Sequence, residues 1–249
     1  MAIELSAAPE VNLGSRATDN ILFSNNDVQE AFGFDTGGRL NLLAESARLR
    51  SSVAPDFNFR RFAVGDNLDA DEFGVRSQHR WKATERLTST LGADYYQDST
   101  LSTELTDAGR QNNVSNRETV TLAPGLLFDL DARTQLNATY AYTDISTDAK
   151  ANAGLVDYTY QLVSFGASRV LSPAWQASAT GFVSWFDVPS QQSLTVTYGA
   201  QAGATWAFDE ATRVDASVGY LASDIDYVDF IPVLVFDPLP RLAPNDTSW

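Results

Sequence analysis

The chain has 249 residues, with 17 Lys plus Arg against 32 Asp plus Glu, for a formal charge of −15. That acidic balance disfavours nonspecific binding to nucleic acid. The absence of cysteine excludes a disulfide framework and a thiolate metal site, and a single His and a single Met narrow metal chemistry further. No cofactor is implied.

No run of about 18 apolar residues occurs, so no transmembrane helix is expected. Mean hydropathy is slightly negative. That speaks against a helical membrane protein but not against a barrel, in which only alternate residues meet lipid. The opening Met1-Ala2-Ile3-Glu4 has neither a basic nor an apolar leader segment, so an exported form is expected to have lost its leader.

The dominant signal along the chain is alternation with a period of two. Strands are expected near 6–17, 34–44, 47–61, 72–82, 86–97, 117–130, 134–145, 157–171, 175–187, 193–208 and 212–224. Over 135–143, Leu136, Ala138, Tyr140 and Tyr142 alternate with Gln135, Asn137, Thr139, Ala141 and Thr143. Over 194–208, Leu194, Val196, Tyr198, Ala200, Ala202, Ala204, Trp206 and Phe208 share one face, with Thr, Gly and Gln prominent on the other. Val214, Ala216, Val218 and Tyr220 repeat the pattern against Arg213, Asp215, Ser217 and Gly219. Strands this long exceed the roughly 5–6 residues usual in soluble sheets and suit a tilted crossing of a bilayer, which takes roughly 9–11.

Tight turns are expected at Glu45-Ser46, Ala83-Thr84-Glu85, Asp131-Ala132-Arg133, Ser172-Pro173-Ala174 and Asp209-Glu210-Ala211. They recur about every 40 residues, the mark of a hairpin repeat. The turns at 82–87, 130–135 and 208–214 each bring an acid close to an Arg, which reads as turn chemistry rather than catalysis. Longer polar loops fall at 19–33, 62–72, 98–117 and 145–157, with a shorter one at 187–192. Short turns on one side and longer loops on the other are expected of outer-membrane barrels.

Aromatic residues gather toward the strand ends. Trp81, Phe128, Trp175, Trp206 and Phe208 lie by the short turns, and Phe57, Phe59, Phe73, Tyr95, Tyr140, Tyr142, Trp185, Tyr198 and Tyr220 lie toward the loops. Two such girdles are what membrane interfaces select.

The fold class expected is therefore all-β: an antiparallel transmembrane β-barrel of up-and-down hairpins, one domain over 1–249, with eleven or twelve strands present. Eleven is odd where single-chain bacterial barrels have even counts. The segment 225–249 reads as loop or a short last strand, because Pro238, Pro240 and Pro244 oppose pairing. The count leaves open whether the barrel closes by itself.

Ala8-Pro9-Glu10-Val11-Asn12-Leu13, followed by Thr18-Asp19-Asn20-Ile21, resembles the opening of a family of outer-membrane β-barrel porins often linked to exopolysaccharide or exosortase systems. Ala-Pro pairs at 54–55 and 123–124 fit the same style. The resemblance implies a Gram-negative outer-membrane location and a porin architecture more than an activity.

Nine of the 17 basic residues lie between positions 39 and 86. Phasing each strand by its apolar residues turns Arg39, Arg48, Arg50, Arg60, Arg76, Arg80 and Lys82 to the lumen as one basic wall. Asp94, Asp129 and Asp215 turn inward as acidic partners. Such a wall serves either as an anion pathway or as a salt-bridge network that stiffens the barrel.

The acidic stretch Asp66-Asn67-Leu68-Asp69-Ala70-Asp71-Glu72 reads as a solvated loop, with Ca²⁺ binding as the alternative. The one histidine, His79, phases to the lipid side with Val75 and Trp81. A general base should face a cleft, so a catalytic role is not expected.

The function expected is a passive channel or export-associated pore for small, anionic or saccharide solutes in the bacterial outer membrane, with lipid as its constant partner and its oligomeric state left open. The competing reading is a surface-binding or structural barrel that transports nothing.

Overall fold

The computed structural model describes residues 3–18, 30–63, 69–99, 105–106, 109–110, 115–148, 155–208 and 212–227. The strands are β1 (Glu4–Thr18), β2 (Ala31–Glu45), β3 (Leu49–Phe62), β4 (Ala70–Lys82), β5 (Leu87–Ser99), β6 (Leu105–Thr106), β7 (Gly109–Arg110), β8 (Asn116–Asp129), β9 (Thr134–Thr147), β10 (Tyr158–Ser172), β11 (Trp175–Val188), β12 (Ser193–Ala207) and β13 (Arg213–Tyr227). Eleven of them form one sheet in the order β1-β2-β3-β4-β5-β8-β9-β10-β11-β12-β13. Every neighbouring pair is antiparallel. The eleven strands read from the sequence are these eleven, with every boundary within about three residues, a scatter usual for strand ends.

The two-residue strands β6 and β7 pair with each other inside the loop after β5, a feature that alternation does not announce. Among the described residues β1 pairs with β2 alone and β13 with β12 alone, so these are the two edges of the sheet. The Thr18–Ile21 motif, the turn at 209–211 and the tail beyond 227 lie wholly or mostly outside the described residues.

The long strands run 13 to 15 residues. At about 3.3 Å per residue such a strand reaches roughly 45 Å, and a tilt near 45° brings the span close to the ~30 Å hydrocarbon layer. Among the described residues no second layer covers either face. Among the described residues, the buried hydrophobic side chains are only Phe62, Ala70 and Val188. Leu5, Val11, Leu13, Phe165 and Val218 are each more than 60% exposed. A water-soluble domain of this size buries an apolar core; this sheet instead presents its apolar face outright.

Three of the short turns share a device. At the β2–β3 turn the Ser46 hydroxyl accepts from the amides of Arg48 and Leu49. At β4–β5 Thr84 Oγ1 accepts from Arg86 and Leu87. At β8–β9 Asp131 Oδ1 accepts from Arg133 and Thr134 at 2.7 and 2.8 Å. A side-chain oxygen thus stands in for a backbone carbonyl two and three residues on, the mechanism of Asx and Ser/Thr turns. The acid–Arg proximity seen in the sequence is therefore not the shared clamp; at β4–β5 the neighbouring Thr84 performs the task.

Prolines interrupt two interior ladders. Pro55 and Pro124 lack the N–H that would pair one neighbour. The β2–β3 ladder accordingly skips from Arg39–Asp56 to Leu42–Val53. The β8–β9 ladder skips from Leu122–Tyr142 to Gly125–Thr139. Both prolines keep full register on their other side.

Candidate functional site

Register fixes the two faces, because cross-strand partners point the same way. The apolar face carries Leu40, Leu42, Val53, Phe57, Phe73, Val75, Trp81, Leu91, Leu122, Leu126, Leu136, Val183 and Val196, matched strand by strand. The opposite face is largely hydroxyl, amide, glycine and charge. Thr139 and Ser164 are hydrogen-bonded across β9 and β10 at 2.6 Å, and Thr197 and Ser223 across β12 and β13 at 2.9 Å.

All seven basic residues singled out above fall in register with the polar face except Arg48, which sits in the β2–β3 turn with its carbonyl accepting from the Lys82 amide. The other six divide into two groups along the strands. Toward the loop ends they are paired. Arg60 lies between Asp35, at 2.9 Å, and Glu72, at 3.7 Å, with only 12% of its side chain exposed. Arg39 meets Asp56 at 4.0 Å. Arg76 meets Asp94 at 3.6 Å and donates to the Tyr96 hydroxyl at 2.8 Å. Arg117 extends the set on β8, held by both oxygens of Asp98.

Toward the short turns no such pairing exists. Arg50 stands directly opposite Arg80 across β3 and β4. Lys82 lies opposite Thr88. None of these three has an ion pair or a side-chain hydrogen bond among the described residues. Glu45, the acid in register with Arg50, forms no ion pair with it. A concavity of about 460 Å³ lies here, lined from the polar face by Arg50, Ser52, Gln78, Arg80, Thr90 and Gly92.

Of the three inward acids, Asp94 alone joins the basic wall. Asp129 accepts from Gln135 and Asp215 from Thr205, with Arg213 at 3.5 Å; both sit by turns on other strands. The partners that matter, Asp35, Asp56 and Glu72, escaped sequence reasoning. The signal was present, since Asp35 has the parity of Arg39 and Asp56 that of Arg50 and Arg60.

Also unforeseen is an apolar patch on the polar face, made by Ile145, Tyr158, Tyr160, Leu162, Phe182 and Phe186 near the loop ends of β9–β11. The Tyr158 and Phe186 rings lie 5.1 Å apart.

Cross-strand glycines seat aromatic rings. A Cβ on Gly74 would meet Tyr96 at 2.5 Å, and one on Gly199 would meet Phe182 at 2.8 Å. Gly74 thereby lets Tyr96 lie flat and reach Arg76, where the guanidinium carbon is 5.6 Å from the ring centre.

The girdle residues take the apolar face. Trp175 and Trp206 are stacked at 5.4 Å and 8°, and Phe208 meets Trp206 edge-on at 5.0 Å. Trp81 is half exposed, by the short turn. Trp185 pairs with Val196 near the loop end. Tyr198 pairs with Val183 and Ala222. Tyr140 and Tyr220 share this face but stand at mid-strand, Tyr220 opposite Ala200 and Tyr140 donating to Gln161 at 3.2 Å.

His79 also lies on the apolar face, in register with Ser51. Its Nδ1 is 2.6 Å from the Ser51 hydroxyl and its Nε2 is 2.5 Å from that of Ser77. Three polar side chains thus satisfy one another where the surrounding surface is apolar. In the acidic stretch, Asp69 and Asp71 face Arg61, at 3.8 and 2.5 Å, and Asp69 accepts from the Phe62 amide. Asp66, Asn67 and Leu68 lie outside the described residues.

No protein-family model matches the chain. No curated protein matches it either. Among solved structures, a loop-deletion mutant of the outer-membrane protein OmpT of Vibrio cholerae is 7% identical with a TM-score of 0.48, covering 90% of this chain and 94% of its own. An outer-membrane channel from Pseudomonas putida F1 is 15% identical with a TM-score of 0.45, covering 89% of each chain. The CymD monoaromatic hydrocarbon channel is 10% identical with a TM-score of 0.41, covering 89% of this chain and 83% of its own. At such identities these likenesses fix neither solute nor activity.

Proposed function

We propose that the sheet is the wall of an outer-membrane β-barrel and that it acts as a passive channel, with the apolar face toward lipid and the polar face toward a water-filled lumen. One observation carries this reading: a predominantly apolar face and a polar, charged face alternate residue by residue over eleven long strands, with no covering layer among the described residues. Backbone groups in hydrocarbon must be satisfied within the protein, and a barrel wall achieves this through its ladders. Small hydrophilic solutes are the expected cargo. The basic side chains favour anions, and the patch around Tyr158, Tyr160 and Phe186, set beside threonine and serine hydroxyls, suits the apolar faces of a saccharide.

Membership of a porin family tied to exopolysaccharide export rests on the Ala8–Leu13 motif. The reading includes no catalysis. His79 stands on the face read as lipid-facing, with its ring nitrogens engaged by Ser51 and Ser77, rather than in a cleft.

The test is reconstitution into planar lipid bilayers. Stepwise, voltage-independent conductance is expected, and folded protein that leaves the membrane electrically silent would overturn the channel.

A further inference from the structure

The polar face of β2–β5 is electrically split. Its loop-end half is neutralised by Asp35, Asp56, Glu72 and Asp94. Its turn-end half keeps Arg50, Arg80 and Lys82 without an ion pair among the described residues; Glu45, in register with Arg50, makes none with it. Like charges directly opposed on neighbouring strands destabilise a sheet. Acids are abundant in this chain, and the same face supplies them a few residues away. An Arg–Arg pair that makes no ion pair even with Glu45 in register beside it marks a place where an anion from outside the protein can bind.

We infer that Arg50 and Arg80, with Lys82 beside them, form a subsite for an oxyanion group, phosphate or carboxylate, carried by a passing solute. The proposal rests on the reading of this face as water-filled. The chemistry fits. Two guanidiniums offer planar forks that match oxyanions two oxygens at a time, which a lysine alone cannot do. Ser52, Gln78 and Thr90 line the same concavity with hydroxyl and amide groups, and Gly92, opposite Gln78, presents no side chain to fill the floor. The position also suits transit. A solute meets paired, stiff charges over half of the wall and unpaired charges over the rest, so attraction is confined to one zone instead of holding the solute along the whole wall.

The experiment titrates inorganic phosphate into protein folded in an uncharged detergent, with ionic strength held constant by chloride. Phosphate is expected to raise the Tm of the wild type, while chloride at equal ionic strength does not. The double variant Arg50→Gln/Arg80→Gln should bind phosphate at least about tenfold more weakly, the loss expected for charge-assisted hydrogen bonds. Arg39→Gln, in the neutralised half, should bind as the wild type does. Folding of each variant is checked by its β-sheet circular dichroism; should the double variant misfold, Arg80→Gln alone carries the comparison. Unchanged phosphate affinity in the variant, or no phosphate response in the wild type, overturns the subsite. Binding in detergent does not require conduction, so the two readings fail separately. A conducting protein indifferent to phosphate loses the subsite and keeps the channel. A silent protein that binds phosphate through Arg50 and Arg80 loses the channel and keeps the subsite.

Discussion

Trp175 and Trp206 face each other across β11 and β12 with their rings parallel at 8° and their centroids 5.4 Å apart. Both stand on the apolar face beside the short turns. Stacked aromatic pairs are worth about 0.5–1.5 kcal/mol beyond the area they cover. A double-mutant cycle with Trp175→Ala and Trp206→Ala, read by unfolding in lipid or detergent, should give a coupling in that range. Additive single effects would mean the rings do not act as a pair.

The face assignment predicts opposite outcomes for adjacent residues at the middle of β12. Ala200 is on the apolar face and Gln201 on the polar one. An Arg at mid-membrane facing lipid costs about 2–4 kcal/mol. Ala200→Arg should therefore be severely destabilised or fail to insert, whereas Gln201→Arg should fold and shift ion selectivity toward anions. The reverse order would invert the sheet.

At His79 the chemistry predicts an asymmetry. Replacing His79 by Leu strips the Ser51 and Ser77 hydroxyls of their partner on an apolar surface. An unsatisfied polar group of this kind costs about 1–3 kcal/mol. Replacing all three (Ser51→Ala, Ser77→Ala, His79→Leu) should recover most of the loss, measured as the denaturant midpoint. Conductance should be unaffected by either change.

Asp131 gives a pH dependence. The amide of Arg133 and then the hydroxyl and amide of Thr134 hold its carboxyl below the ordinary value of 3.8, with Arg169 contributing. A depressed carboxylate contributes stability above its unfolded pKa and loses it as pH falls through the folded value. Wild type should therefore be more stable than Asp131→Ala at pH 7, and the gap should close in acid below the ordinary value. Unfolding midpoints measured at both pH values decide the matter.

The strands were legible because period-2 alternation is strongest where one face is wholly apolar and the other wholly polar, as in Leu194 to Trp206. Strand parity also placed Arg39, Arg50 and Arg60 on one face. Which charges neutralise each other was not legible, because pairing depends on register across strands. Asp35 meets Arg60 only because β2 and β3 align those two positions. The turn clamps were half visible. Asp131 sits in an acid–Arg pattern, but Ser46 and Thr84 perform the same task without acidity. The inner patch at Tyr158 and Phe186 was hidden, since aromatic side chains in a strand otherwise read as lipid-facing.

The order of the sheet bears on how it is assembled. Each strand of the large sheet pairs with the next long strand in the sequence, so among the described residues no ladder waits on a distant segment. Hairpins can therefore form one after another from their clamped turns, each adding to the edge left by the last, with little loop-closure entropy to overcome. Modularity follows. Excising one hairpin between two loop-side connections removes a unit whose flanking strands can meet in an unchanged apolar-to-apolar phase, so the sheet can change its width by whole hairpins without re-encoding the remaining strands.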